Sequence, residues 1–150
     1  MNAQPEPNTE RQLVEWYARA TTQFDESPIH RTMGLSLESM TAGKVEILLE
    51  CPPEFRNAHG NIHGGLLTTA LDSAVLQAVR SQTPGLFTQS TIELKANFMR
   101  PAVGAIVRIE GIAIHVGRTT GVARALAVGG DGRAVAAALG TIHIARKSAT

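Results

Sequence analysis

The 150 residues suit one domain, and a hydrophobic share of 43% is enough for a packed core without disulfide or metal staples. Fourteen Lys and Arg stand against thirteen Asp and Glu, giving a net charge of +1. That balance excludes the broad cationic surface nucleic-acid binding requires, though a few local cations would still hold a small anionic ligand.

The opening MNAQPEPNTERQ has no basic stretch leading into an apolar one, and no run of about 18 apolar residues follows anywhere. Neither a secretory leader nor a membrane span is expected. The single cysteine, Cys51, forbids an intrachain disulfide and fits a reducing compartment, so the cytoplasm is the expected location. Residues 1–8 are polar with two prolines and are expected to fray. Thr9 can cap a helix over 10–22 whose apolar surface is Leu13, Val14, Trp16 and Tyr17. A turn around Ser27-Pro28 closes this part, so 1–32 read as a tail and helix ahead of a main domain over 33–150. Residues 34–51 form two strands joined near Thr41-Ala42-Gly43, and 52–63 read as loop from Pro52, Pro53, Asn57, Gly60 and Asn61.

A helical pattern then covers 64–80. Leu66, Leu67, Ala70, Leu71, Ala74, Val75, Ala78 and Val79 make an apolar stripe so wide that other structure must enclose the helix. Thr83-Pro84-Gly85 ends it. From Thr88 the period becomes two, with Ile92, Leu94, Ala96 and Phe98 alternating with Glu93, Lys95 and Asn97. After a turn at 100–104 come strands over 105–116 and 119–128, a hairpin at Gly129-Gly130-Asp131-Gly132, and a last alanine-rich strand over 133–145. The implied class is α+β: an antiparallel sheet wrapped around one buried helix.

The densest chemistry lies in Asn57-Ala58-His59-Gly60-Asn61-Ile62-His63-Gly64-Gly65, followed by Asp72. His63-Gly64-Gly65 stands where loop becomes helix. The first N–H groups of a helix lack internal acceptors and lie at the positive end of its dipole, and glycine lets an oxygen approach them. Such donors suit the oxyanion that forms when a thioester carbonyl is attacked. Asp72 lies two turns on, beside the apolar stripe with Gly65, Thr68 and Thr69, where a carboxylate can act as general base or nucleophile.

The segment resembles the PaaI-like, or acyl-CoA thioesterase 13-like, branch of the hotdog superfamily. An Asn, then His-Gly-Gly six residues later, then Asp nine residues after the His is matched by Asn57, His63-Gly64-Gly65 and Asp72, with Ser90 eighteen residues beyond. TIELKANFMRPA (91–102), HVGRTTGVARA (115–125) and the closing DGRAVAAALGTIHI resemble the family's strands, so the likeness covers roughly 33–146. The resemblance implies a hotdog fold and hydrolysis of an acyl-CoA, with CoA as part of the substrate and no separate cofactor. The Gly64 N–H would hold the carbonyl, and Asp72 would activate water or form a mixed anhydride. Asn57 and Ser90 would place water and carbonyl, and His63 would orient the loop. It further implies a homo-oligomer, a dimer or dimer of dimers, with the Asn/His/Gly loop of one subunit facing the Asp and Ser of another. Gly117, Arg118 and Thr119, with Arg100, would lie near the CoA phosphates.

Plainer readings compete for several residues. His59 and His63 have a metal-like spacing, but the glycines argue against a helix there and no ligand set is completed, so no metal is expected. His115 and His143 read as core strand residues, His30 as surface, and Cys51 as too isolated from basic partners for a nucleophile. Two rival functions are an acyl-CoA dehydratase or hydratase and a non-catalytic acyl-CoA-binding module. The first usually needs a histidine on the central helix, absent from 64–80. The second would need an output domain, of which there is no sign.

Overall fold

The computed structural model of the chain describes residues 7, 9–85 and 87–146. Of the tail expected to fray, only Pro7 falls among them; residues 147–150 of the expected main domain lie outside.

The Thr9 hydroxyl accepts a hydrogen bond from the Gln12 N–H at 3.2 Å and so caps the first helix, α1 (Glu10–Asp25). α1 outruns the expected 10–22 because the buried row Trp16, Ala20, Phe24 repeats every four residues beyond that limit. In place of a plain turn there follows a short helix, α2 (Pro28–Met33), with Pro28 in its first turn, where the missing N–H removes no bond. Gly34 ends α2 at φ 69°, and a Cβ there would run into the Glu50 carbonyl.

β1 (Leu35–Thr41) and β2 (Lys44–Glu50) form the first hairpin, with Val45, Ile47 and Leu49 buried and Lys44, Glu46 and Glu50 exposed. The buried helix α3 (Gly64–Ser81) comes next, then β3 (Phe87–Phe98), β4 (Ile106–Val116), β5 (Thr120–Gly129) and β6 (Ala134–Arg146). The six strands form one antiparallel sheet in the order β1-β2-β4-β5-β6-β3. β1 and β3 are therefore its edges.

α3 lies across one face of the sheet, its apolar stripe buried against Val45, Ile47, Val107, Ile109, Ala125 and Ile142. The approach is close because glycines stand beneath it. A Cβ at Gly111 would strike the Ala74 carbonyl oxygen, and one at Gly140 would come within 2.9 Å of Val75. This is the hotdog arrangement expected from the sequence, a sheet wrapped around a helix. α1 joins the same core through Trp16, Ala20 and Phe24, and α2 packs on it through the partly buried Met33. The Tyr17 hydroxyl donates to the Ser81 carbonyl at 3.2 Å, and the Arg80 guanidinium lies 5.5 Å from the centre of the Trp16 ring.

Two expectations need correction here. His30 is not a surface residue: it is half-buried, stacks on Phe24 at 3.7 Å and lies 2.8 Å from the Phe24 carbonyl through Nδ1. Its Nε2 lies 3.4 Å from the Ser73 hydroxyl, which ties α2 to α3. β3 is not one inward row. Its register against β6 slips by a residue between Thr91 and Glu93, so Leu94 and Ala96 pack on the core while Ile92 is 60% exposed. Phe98, past the edge of the core, is 52% exposed.

Candidate functional site

The loop before α3 is shaped by Asn57. Its side-chain oxygen accepts from the His59 N–H (3.0 Å) and the Asn61 N–H (3.2 Å), and its own N–H donates to the Asn61 carbonyl (2.8 Å). That leaves the side-chain amide nitrogen of Asn57 for the cavity it lines.

His63 is the N-cap of α3, and its Nδ1 accepts from the Gly65 N–H at 2.9 Å. A Cβ on Gly65 would sit 3.0 Å from that nitrogen, so the cap itself asks for glycine at 65. The Leu66 and Leu67 N–H groups donate to the His63 carbonyl at 3.0 and 3.3 Å. Of the four leading donors of the helix, this leaves the Gly64 N–H, which has no acceptor among the described residues. A Cβ on Gly64 would meet nothing nearer than the Phe98 ring at 3.6 Å, an ordinary contact. The protein's own packing therefore does not require glycine at 64. Gly64 opens onto a cavity of about 340 Å³ lined also by Asn57, Leu67, Phe98, Met99 and Arg100. Phe98 and Met99 are each about half exposed and give it an apolar wall.

Asp72 is half-buried on α3, and its Oδ1 accepts a hydrogen bond from the Thr91 hydroxyl at 2.8 Å. Thr91 is the residue that sequence reasoning missed. Ser90 is exposed and pairs in register with the exposed His143. The sequence carries no signal for it, because Ile92 and Glu93 continue a regular alternation and the bulge that turns Thr91 toward the helix shows only in the pairing with β6. Eight residues separate Gly64 from Asp72, which along an α-helix is about 12 Å. Asp72 does not line the Gly64 cavity. One chain therefore does not bring the two together.

The proposed phosphate residues divide in the same way. In the turn at 117–119, the Gly117 N–H donates to the Thr120 carbonyl and the Thr119 carbonyl accepts from the Ile144 N–H, each at 2.8 Å; Arg118 projects exposed. This turn lies at the sheet end where Thr120 pairs with His143. Arg100 follows Phe98, which pairs with Ala136 at the other end. Thus Asn57, Gly64 and Arg100 occupy one end of the protomer, and the 117–119 turn the other. Thr91 pairs with Ile142, as does Gly121, so the Asp72–Thr91 pair lies toward the Arg118 end.

The remaining candidates separate by burial. His115 and His143, expected in the core, are both exposed, because each points away from α3. Cys51 is buried, with its sulfur 3.3 Å from the Pro52 carbonyl, and burial pushes the thiol pKa up, away from a reactive thiolate. Among the described residues no three His, Cys, Asp or Glu side chains are grouped to hold a metal ion, and no helix is long and apolar enough to cross a membrane.

Comparison with known proteins bears on this geometry. A model of the thioesterase superfamily matches residues 59–136. The crystal structure of a thioesterase family protein from Silicibacter pomeroyi is 30% identical and has a TM-score of 0.82, covering 87% of this chain and 99% of that one. The structure of a hypothetical thioesterase with coenzyme A from Streptococcus pneumoniae is 25% identical with a TM-score of 0.73, covering 85% and 98% of the two chains. A Halobacterium salinarum protein carrying the provisional name esterase is 31% identical over 96 residues, 61% of this chain; the match spans 63% of that relative's length.

Proposed function

Since the chain belongs to the thioesterase superfamily, we propose that it hydrolyses an acyl-CoA thioester to the free acid and CoA, at a site shared between two copies. The observation that carries this reading is the Gly64 N–H, a helix-terminal donor without an acceptor among the described residues, at the wall of an apolar-sided cavity. A thioester carbonyl oxygen placed there gains a donor that strengthens as negative charge develops on it; one such donor is worth about 3 kcal/mol of barrier. The CoA-bound relative supports CoA as the leaving group.

Asp72 supplies the second half, either by removing a proton from an attacking water or by attacking the carbonyl carbon itself to give a mixed anhydride that water then cleaves. Either route expels the CoA thiolate when the tetrahedral intermediate collapses. Because Asp72 lies about 12 Å from Gly64 along α3, the carboxylate that serves one Gly64 comes from a second copy. The free edge of β3 offers the means. Antiparallel pairing of two β3 edges about a twofold axis sets the Gly64 end of one copy against the Asp72 end of the other. It also brings Arg100 of one copy toward Arg118 of the other, where both can meet CoA phosphates. His63 holds the loop through its cap, and Asn57 offers its amide nitrogen to water or carbonyl. Ser90, exposed beside this edge, would meet the second copy.

The hydratase alternative finds no histidine on α3. The test is thiol release from phenylacetyl-CoA, 4-hydroxybenzoyl-CoA and hexanoyl-CoA. The wild type should turn over at least one of them. Asp72→Asn should stay folded and lose about 100-fold or more in kcat. Wild-type turnover in folded Asp72→Asn would refute the assignment.

A further inference from the structure

We infer that Asn61 is a substrate-recognition residue: its side-chain carboxamide binds a hydrogen-bonding group, an amide or an alcohol, that the substrate carries close to the thioester. The inference rests on the thioesterase reading above and names what that site selects. Asn61 lines the same cavity as Gly64 and is half-buried there. Both of its backbone groups are taken by Asn57. Its N–H donates to Asn57 Oδ1 at 3.2 Å, and its carbonyl accepts from the Asn57 N–H at 2.8 Å. Its side chain makes no hydrogen bond to any described residue, and neither carboxamide atom is sealed from solvent. Asn61 therefore brings a free donor and a free acceptor to the cavity wall. Asn57, its oxygen spent on two N–H groups, brings only a donor.

The local backbone gives no reason for asparagine at this position. Asparagine is common in loops because it tolerates the left-handed conformation and because its side chain caps nearby N–H groups. In this loop Gly60 takes the left-handed conformation, at φ 77°, and Asn57 does the capping. Asn61 does neither, and its φ is not positive. It is also held firmly, since the next residue, Ile62, is buried and its N–H donates to the Ala102 carbonyl at 3.0 Å. A carboxamide projecting from so fixed a backbone loses little freedom when it binds. The wall around it is largely apolar, through Ile62, Leu67, Phe98 and Met99. A substrate that covers Asn61 with hydrocarbon alone leaves the carboxamide unpaired, so one that offers it a partner is preferred. Two substrate groups have that chemistry beside a thioester: the pantetheine amide nearest the sulfur, and an alcohol on the third carbon of the acyl chain.

The experiment uses Asn61→Leu, which keeps the volume and removes both hydrogen-bonding ends, with Asn61→Ala as a second variant should the leucine fold poorly. Each is assayed in the full-length protein, with its melting temperature recorded. The acyl group the wild type cleaves fastest is presented as its CoA thioester, as its N-acetylcysteamine thioester, which keeps the first amide, and as its S-ethyl thioester, which has none. 3-Hydroxyhexanoyl-CoA is compared with hexanoyl-CoA for the alcohol. Expected is a KM raised roughly three- to tenfold with kcat within about twofold, as for one lost hydrogen bond that binds substrate and transition state alike. If the partner is the amide, the CoA and N-acetylcysteamine thioesters share the rise and the S-ethyl thioester does not respond. If it is the alcohol, the rise is confined to 3-hydroxyhexanoyl-CoA. Either pattern supports the inference. Wild-type kinetics on every substrate in the folded variants overturn it. So does an equal loss on every substrate, the S-ethyl thioester included, because the change then acts through the loop and not through a substrate group. If Asp72→Asn keeps full activity, or the wild type cleaves no probe, the thioesterase reading itself fails and the role of Asn61 falls with it.

Discussion

Gly111 offers a direct test of how tightly the sheet holds α3. Its Cα lies beneath the helix, and an added Cβ would strike the backbone oxygen and carbon of Ala74, with Val45 Cγ2 at 2.9 Å on the other side. Gly111 is buried and its φ is not among the positive glycine values, so backbone conformation does not oppose alanine there. Loss of chain entropy in the unfolded state would then favour Gly111→Ala by about 0.4–1 kcal/mol. Against this stands overpacking, which typically costs about 1–3 kcal/mol. The upper end applies, because the obstruction is backbone of a buried helix, not the tip of a flexible side chain. The net loss is about 2 kcal/mol, and for a domain of this size that lowers Tm by roughly 4–8 °C. Gly130→Ala is the control: the position is exposed, has no positive φ, and its nearest neighbour to a new Cβ is 3.8 Å away. Its Tm should be unchanged or slightly raised. Calorimetry of both variants at one protein concentration decides the matter. A Gly111→Ala protein melting at or above Gly130→Ala would refute the claim that glycines set the helix-to-sheet distance. Ala74 is two residues past Asp72, so the same variant should also lose turnover.

Two further outcomes follow from the two-copy site. Sedimentation should give at least a dimer at micromolar concentration, and a fully active 15.9 kDa monomer would contradict the shared site. Arg118→Ala should raise KM for an acyl-CoA several-fold with kcat nearly intact, as for lost uniform binding on an exposed, salt-screened rim. A thioester lacking the nucleotide should respond little to the change, and equal harm to both substrates would remove Arg118 from phosphate binding.

The sequence makes some parts of this molecule plain and hides others, for physical reasons. α3 is legible because an apolar stripe this wide has only one environment, a full enclosure. The Asn57 to Gly65 loop is legible because glycines at a helix start weaken the helix unless something needs the backbone bare. α2 is hidden because six residues are too few for a period, and only Pro28 and Gly34 mark its limits. His30 is hidden because its partners, Phe24 and Ser73, meet it only when α2 folds back onto α3. Thr91 is hidden because counting by twos along β3 assumes a regular strand, and the slip at Ile92 is set by pairing with β6. The division between the Gly64 and Asp72 ends could be computed from helical rise alone, once the helix was granted.

The slip in β3 also has a meaning for how this strand tolerates change. Two hydroxyl residues stand side by side at Ser90 and Thr91, one on each face of the ribbon. Sliding the upper half of β3 by one place against β6 would bring Ile92 opposite Ile142, where Thr91 now stands, and turn Thr91 outward opposite His143. Only the bulged setting therefore gives the carboxylate its alcohol, and in that setting the isoleucine stays wet. The pairing of β3 across its open edge, where Ile92 now stands exposed, is the force that would hold it at one setting.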